Sequence, residues 1–172
     1  MKILKSLRSI FGTVLYWVIL LSVVSVVSAL VRAWFQSDRH GDDSPQEEFE
    51  SAIESDGVED ILVRMVSIVE EEGFGGVEVD AYTTTDRLST DGRNLYYYYE
   101  LDPSVVNVIS KIDYANTARA NGLDNNCSKE FSRTLLREGV TFYHYYNISG
   151  SSERFATVSI NEEDCRDYAV RD

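Results

Sequence analysis

Residues 77–101 read VEVDAYTTTDRLSTDGRNLYYYYEL, and this stretch decides the fold. Val77, Val79, Ala81 and Thr83 alternate with Glu78, Asp80, Tyr82 and Thr84, the period of a strand with one buried face. Asp91-Gly92 supplies the positive φ angles of a tight turn, and Asn94–Leu101 returns through four consecutive tyrosines of high strand propensity. A hairpin of Val77–Thr84 with Asn94–Leu101 is therefore expected.

Helical patterns flank it. Upstream, Ser44-Pro45-Gln46-Glu47 is a capping box: the Ser44 hydroxyl accepts from a free N–H, Pro45 has none to leave unpaired, and Glu47 reaches back. Phe49, Ala52, Ile53, Ile61, Leu62, Met65, Val66 and Val69 then recur at spacings of three and four, with Asp56-Gly57 as the point where the helix divides. Glu70, Glu71 and Glu72 sit at its end, where the macrodipole disfavours negative charge, so packing must hold them. Downstream, Asp102-Pro103 opens a helix with Val105, Val106, Ile109 and Ile112 on its apolar face, interrupted at Asn121-Gly122. A shorter helix is predicted from Ser128 to Glu138, buried through Phe131, Leu135 and Leu136 and closed by Gly139. Val140–Asn147 and Arg154–Asn161 make a second hairpin around Ser149–Ser152. This order predicts one α+β domain over residues 45–172, with a four-stranded, mostly antiparallel sheet and helices on one face.

Ile10 to Val31 contains no charged residue, and at about 1.5 Å per residue a helix of that length spans the roughly 30 Å hydrocarbon core of a bilayer. Lys2, Lys5 and Arg8 precede it and the chain turns acidic beyond Arg39, so the positive-inside rule places residues 1–9 in the cytoplasm. Residues 10–31 are read as a single transmembrane helix, 32–44 as a linker, and the domain as exported. Val27-Ser28-Ala29 satisfies a small-residue cleavage rule, but the apolar run exceeds the about 7 to 15 residues of a signal-peptide core, so a retained anchor is expected. Ser22, Ser25 and Ala29, with Ser28, form a small-residue ridge of the kind that lets membrane helices approach, which suits self-association or docking on another membrane helix.

The chain of 172 residues carries a net charge of −13. Four basic residues and no acid lie in residues 1–32, so the domain is more acidic still. Nucleic acid is excluded as a partner, because phosphate binding needs a basic stripe that residues 33–172 lack. Cys127 and Cys165 are the two cysteines, and an even pair in an exported domain reads as a disulfide. With only His40 and His144 besides, no metal site is expected, and no cofactor.

Tyrosine is the compositional oddity, at 11 residues. Strand periodicity divides Tyr96–Tyr99 and Tyr143–Tyr146 between two faces, so some rings must look outward. Tyrosine buries a rigid ring while its hydroxyl keeps a hydrogen bond, which suits contact with protein, glycan or amphipathic ligand. Tyr97, Tyr99, Tyr143, Tyr145 and His144 are the candidate binding-surface residues. Asp80 and Glu100 are the carboxylates that would make His144 a general base, but neither a G-x-S-x-G elbow nor an H-E-x-x-H motif accompanies them, so no catalytic residue is assigned. The acidic stretch Asn161–Asp164 lacks the spaced pattern of an EF-hand loop and reads as a solvated turn.

Cys127-Ser128, Leu135-Leu136, Gly139-Val140, Tyr143 with Tyr145, Gly150, Val158-Ser159-Ile160 and Asp164-Cys165 resemble small exported domains of bacterial envelope proteins. In those a cysteine precedes a short helix ending LL…G, and a hairpin then leads to the second cysteine. More loosely the chain looks like the disulfide-bonded α+β pilotins of type II secretion, which guide outer-membrane secretins and are lipoproteins. The resemblance implies an α+β fold, a disulfide and a bacterial periplasmic location, and with the apolar run 10–31 the chain reads as a bacterial inner-membrane protein whose domain lies in the periplasm. The function expected is binding or assembly through contacts with another envelope or inner-membrane protein. The alternatives are a sensor or regulatory subunit that takes up a small amphipathic ligand and, after it, an enzyme of unknown class.

Overall fold

The computed structural model describes residues 44–166 and Tyr168. Helices α1 (Pro45–Asp56) and α2 (Val58–Glu71) lead into strands β1 (Glu78–Asp80), β2 (Thr83–Asp91) and β3 (Asn94–Leu101). A 3-10 turn (Pro103–Asn107), α3 (Lys111–Ser128) and α4 (Glu130–Arg137) connect to β4 (Thr141–Ile148) and β5 (Arg154–Ile160), and α5 (Glu162–Arg166) follows. The apolar run 10–31, with Ser22, Ser25 and Ala29, lies outside the described residues, as do the tail and nearly all of the linker. Among the described residues no helix is long and apolar enough to cross a membrane.

The expected capping box is formed, with Ser44 Oγ accepting from Glu47 N at 3.3 Å and Ser44 N donating to Glu47 Oε2 at 2.8 Å. Gly57, at φ +86°, divides α1 from α2 where the sequence placed the break. The acidic end of α2 has a use that its sequence does not disclose. β2 bulges between Thr85 and Arg87, and the Glu70 carboxylate accepts the backbone N–H of Leu88 just beyond.

The sheet has five strands in the order β1-β2-β3-β4-β5, one more than expected. The alternation over Val77–Thr84 is not one strand: Asp80 Oδ1 accepts from Tyr82 N at 2.8 Å, and this local turn folds β1 back on β2. β2 then extends through residues 85–91, beyond the strand expected to end at Thr84. Three of the four pairings are antiparallel, but β3 and β4 run parallel, in agreement with the long helical crossover between them.

Asn121-Gly122 does not interrupt α3, which begins at the Ser110 cap and continues to Ser128. Cys127 therefore closes α3 and does not open the next helix. Tertiary packing overrides the local preference: a Cβ on Gly122 would lie 2.6 Å from Ile160 Cδ1, and Ile160 is fully buried. On an exposed helix Gly→Ala gains up to about 1 kcal/mol. Here overpacking of about 1 to 3 kcal/mol opposes that gain, so Gly122→Ala is expected to destabilise, by about 1 kcal/mol net in urea unfolding.

The core lies between the helices and one sheet face, where Phe49, Ile61, Leu62, Leu95, Leu135, Leu136, Phe142 and Ile160 are all buried. A smaller cluster of Leu101, Val105, Ile148 and Phe155 seals the end at the 3-10 turn. Cys127 and Cys165 are bonded, with Cα atoms 5.4 Å apart, so α3 is tied to α5 just past edge strand β5. Asn161–Asp164 is the cap and first turn of α5: Asn161 Oδ1 accepts from Glu163 N at 2.9 Å.

Candidate functional site

The parallel register sets the two aromatic runs side by side, with Tyr96 opposite Tyr143, Tyr97 opposite His144, Tyr98 opposite Tyr145 and Tyr99 opposite Tyr146. Pleating sends alternate pairs to opposite faces. The five sequence candidates therefore do not share one surface. Tyr143 and Tyr145 face away from the helices, while Tyr97, Tyr99 and His144 face toward them.

On the outer face Tyr96 stacks on Tyr143 at 5.2 Å, and Tyr98 meets Tyr145 at 5.3 Å. Arginines cap both ends: the Arg87 guanidinium lies 4.2 Å from the Tyr98 ring centre and that of Arg154 3.8 Å from the Tyr145 ring centre. These rings turn their faces to one another and to the guanidinium groups, so the ladder largely satisfies itself.

The helix-facing side is different. Tyr99, His144 and Tyr146 form the floor of an open cleft of about 650 Å³. One wall is α3, through Tyr114, Thr117, Ala118 and Asn121, and the other is the β1–β2 turn from Glu78 to Thr83. Val105, Val108 and Ile109 close the end. Tyr114 braces the cleft, standing edge-on to Tyr146 at 5.2 Å and lying 3.3 Å from Thr83 Oγ1 through its hydroxyl. Of the cleft's lining residues, Val108 is 62% exposed and Tyr82 is exposed as well. Carboxylates line the cleft at Glu78 and Asp80, and among the described residues no Lys or Arg does.

His144 stacks on Tyr97 at 4.9 Å with an 11° interplanar angle, and its Nδ1 lies 3.3 Å from the Tyr99 hydroxyl. Burial lowers its pKa from 6.5 to about 4, so the ring is neutral at pH 7. Burial also raises Tyr97 to about 12 and Tyr99 well above the ordinary phenol value. Neither carboxylate considered from sequence pairs with this imidazole. Glu100 accepts from Ser149 Oγ at 2.9 Å, on the outer-face side of β3, and Asp80 Oδ1 is engaged by its own turn. The cleft residues that sequence reasoning missed are Val108, Tyr114, Thr117 and Ala118. The available signal was an apolar residue at Val108 on the solvent side of its turn.

The architecture has counterparts among solved structures. A Pseudomonas aeruginosa protein described as secreted superposes with a TM-score of 0.52 at 17% identity, over 63% of this chain and 96% of its own. The pilotin EpsS of the Vibrio vulnificus type 2 secretion system gives 0.51 at 12% identity, over 63% and 91%. The type II secretion pilotin AspS of Vibrio cholerae gives 0.50 at 14% identity, over 67% and 98%. At these identities the likeness is one of fold. No family model and no curated protein matches the chain.

Proposed function

We propose that this chain is a membrane-anchored, non-catalytic assembly protein of the bacterial envelope, whose periplasmic domain docks an apolar segment of another envelope protein in the cleft between α3 and the β1–β2 turn. The observation that carries this reading is the cleft itself: an open apolar cleft over the half-buried rings of Tyr99 and Tyr146, with Val108 exposed at its end. An open apolar cleft with a few polar groups at its edge is the default binding site of a fold. The pilotin fold of two neighbours supports an assembly role, the Cys127–Cys165 bond suits an oxidising compartment, and the uncharged run Ile10–Val31 supports a single-pass anchor with the N-terminus in the cytoplasm. The ridge of Ser22, Ser25 and Ala29 supports pairing with a second membrane helix.

Photo-crosslinking from the full chain in cells tests this. Benzoylphenylalanine at Val108 is expected to give a discrete protein adduct, and the same probe at Thr157, exposed on the outer sheet face, is expected to give none. Val108→Asp is expected to lower capture of that partner at least about tenfold with the thermal transition unchanged, since the side chain is largely exposed. An adduct from Thr157 alone would move the contact to the tyrosine–arginine face.

A second reading, uptake of a small amphipathic ligand by a sensor subunit, is favoured by the cleft's volume, which falls within the range of small-molecule sites. Its signature is a low-mass molecule released from the purified chain on denaturation.

A further inference from the structure

Beyond the β1–β2 turn lies a second hollow, of about 350 Å³, whose walls are acidic: Glu78, Asp80, Glu100 and Asp102 line it, and among the described residues no Lys or Arg does. It adjoins the apolar cleft, because Glu78, Asp80, Ala81, Tyr82 and Thr83 line both. Glu78, Glu100 and Asp102 are exposed, so a docked group can reach them from solvent. Three of the carboxylates are also held in place through one oxygen. Asp80 Oδ1 accepts from Tyr82 N at 2.8 Å, Glu100 Oε2 from Ser149 Oγ at 2.9 Å and Asp102 Oδ1 from Ser104 N at 2.7 Å.

Those donors are all neutral. The ion pairs among the described residues instead serve Asp56, Glu59, Glu153, Asp164 and Glu50. Carboxylates gathered around one hollow repel one another, and a cation placed among them relieves that repulsion. Among the described residues no three acidic, histidine or cysteine side chains are placed to hold a metal ion, so the negative charge is spread along the wall. Such a spread suits ammonium or guanidinium groups on long stems, which need no fixed coordination geometry.

Resting on the docking reading above, we propose that the segment seated in the cleft is apolar along its body and carries Lys or Arg at one end only, and that this end crosses the β1–β2 turn into the acidic hollow. The rest of the cleft offers no such partner. Val105, Val108 and Ile109 close its end, and Thr117, Ala118 and Asn121 line the α3 wall, all of them uncharged. At the crossing, the stems of the basic side chains can lie on the exposed ring of Tyr82 while their charged heads stay in water. The apolar body then supplies affinity, and the basic end fixes the direction in which the segment lies.

The test is selection of short peptides from a random phage library on the full chain in nanodiscs, with each selected peptide titrated against variants. Selected sequences are expected to be apolar, with Lys or Arg gathered at the same end in each. Replacing those basic residues by Gln is expected to weaken binding about fivefold to tenfold in the wild type, and to change little against Glu78→Gln with Glu100→Gln. Both of these side chains are exposed and their amides keep the size of the carboxylate, so the double variant should fold. It should bind the unmodified peptide about fivefold to tenfold more weakly, by a margin that shrinks as salt is raised. Glu54→Gln with Glu72→Gln removes the same charge from exposed positions outside both hollows, and is expected to change binding less than about twofold. Peptides without a common basic end, or equal losses in the two double variants, overturn the role of the acidic hollow and leave the docking site standing, provided that Val108→Asn, which adds no charge, still weakens binding. Peptides that bind Val108→Asn as tightly as the wild type, or the absence of any selected peptide, overturn the docking site itself.

Discussion

Replacing Cys127 and Cys165 together with serine is expected to lower the unfolding free energy by about 4 kcal/mol. The bond spans a sequence separation of 38 residues, a loop that contains α4, β4 and β5. On the chain-entropy model the cross-link acts chiefly on the unfolded ensemble, which it prevents from separating α3 from the chain beyond β5. The folded state loses less, because α5 has other ties. Arg119 Nη2 meets Asp164 Oδ1 at 2.6 Å, Arg119 Nη1 donates to the Ser159 carbonyl at 3.0 Å, and the Tyr168 hydroxyl bonds Asp124. Small domains are held by roughly 5 to 15 kcal/mol, so the double variant should sit near the limit of stability at 37 °C. Urea unfolding of both proteins, with the wild type also measured under reductant, checks the value. A loss below about 1 kcal/mol would show that the unfolded chain stays compact without the bond.

Acidification is expected to cost the fold about 3 kcal/mol through His144 alone. Above pH 6.5 the ring is neutral in both folded and unfolded chains, and its contribution is constant. Between pH 6.5 and about 4 the unfolded chain takes up a proton that the folded ring, desolvated between Tyr97 and Tyr99, refuses. Stability therefore falls as the pH falls through that window, by about 1.4 kcal/mol per unit at most. Below about pH 4 the folded ring is protonated too and the loss stops growing. Carboxylate titration overlies this effect, so the quantity to measure is the difference between wild type and His144→Phe in urea unfolding at pH 7, 5 and 4. The variant should become the more stable of the two as pH drops. Parallel curves would mean that a proton reaches Nε2 in the folded state, and that the ring is better solvated than its packing indicates.

Much of the local structure is legible in the residues because its causes are local. The Ser44 box, the break at Gly57 and the stop at Gly139 are each decided within a few residues by φ angles and free N–H groups. Strands β3, β4 and β5 end within one residue of the predicted limits, and the pairing of the cysteines follows from their number. The readings that failed depend on distant partners. Asn121-Gly122 looks like a helix break until Ile160 packs against it, and Val77–Thr84 looks like one strand until Asp80 closes a turn and β2 extends beyond it. The parallel register did have a trace in the sequence. Leu95-Tyr-Tyr-Tyr-Tyr-Glu-Leu101 and Phe142-Tyr-His-Tyr-Tyr-Asn-Ile148 match position by position, as two strands must when they run in the same direction and share both faces.

By itself the sequence determined the first two helices, strands β3 to β5, the disulfide and the alternation that sends Tyr97 and Tyr99 to one face and Tyr96 and Tyr98 to the other, because backbone geometry and residue type act over neighbouring positions. It also singled out Tyr99 and His144, though without the cleft they underlie. Only the tertiary structure decided which face meets the helices and how far α3 stands from the β1–β2 turn. That separation is set by residues far apart in the chain, Tyr114 against Thr83 and Tyr146, Gly122 against Ile160, and no local preference encodes a distance between surfaces that meet only when the core closes.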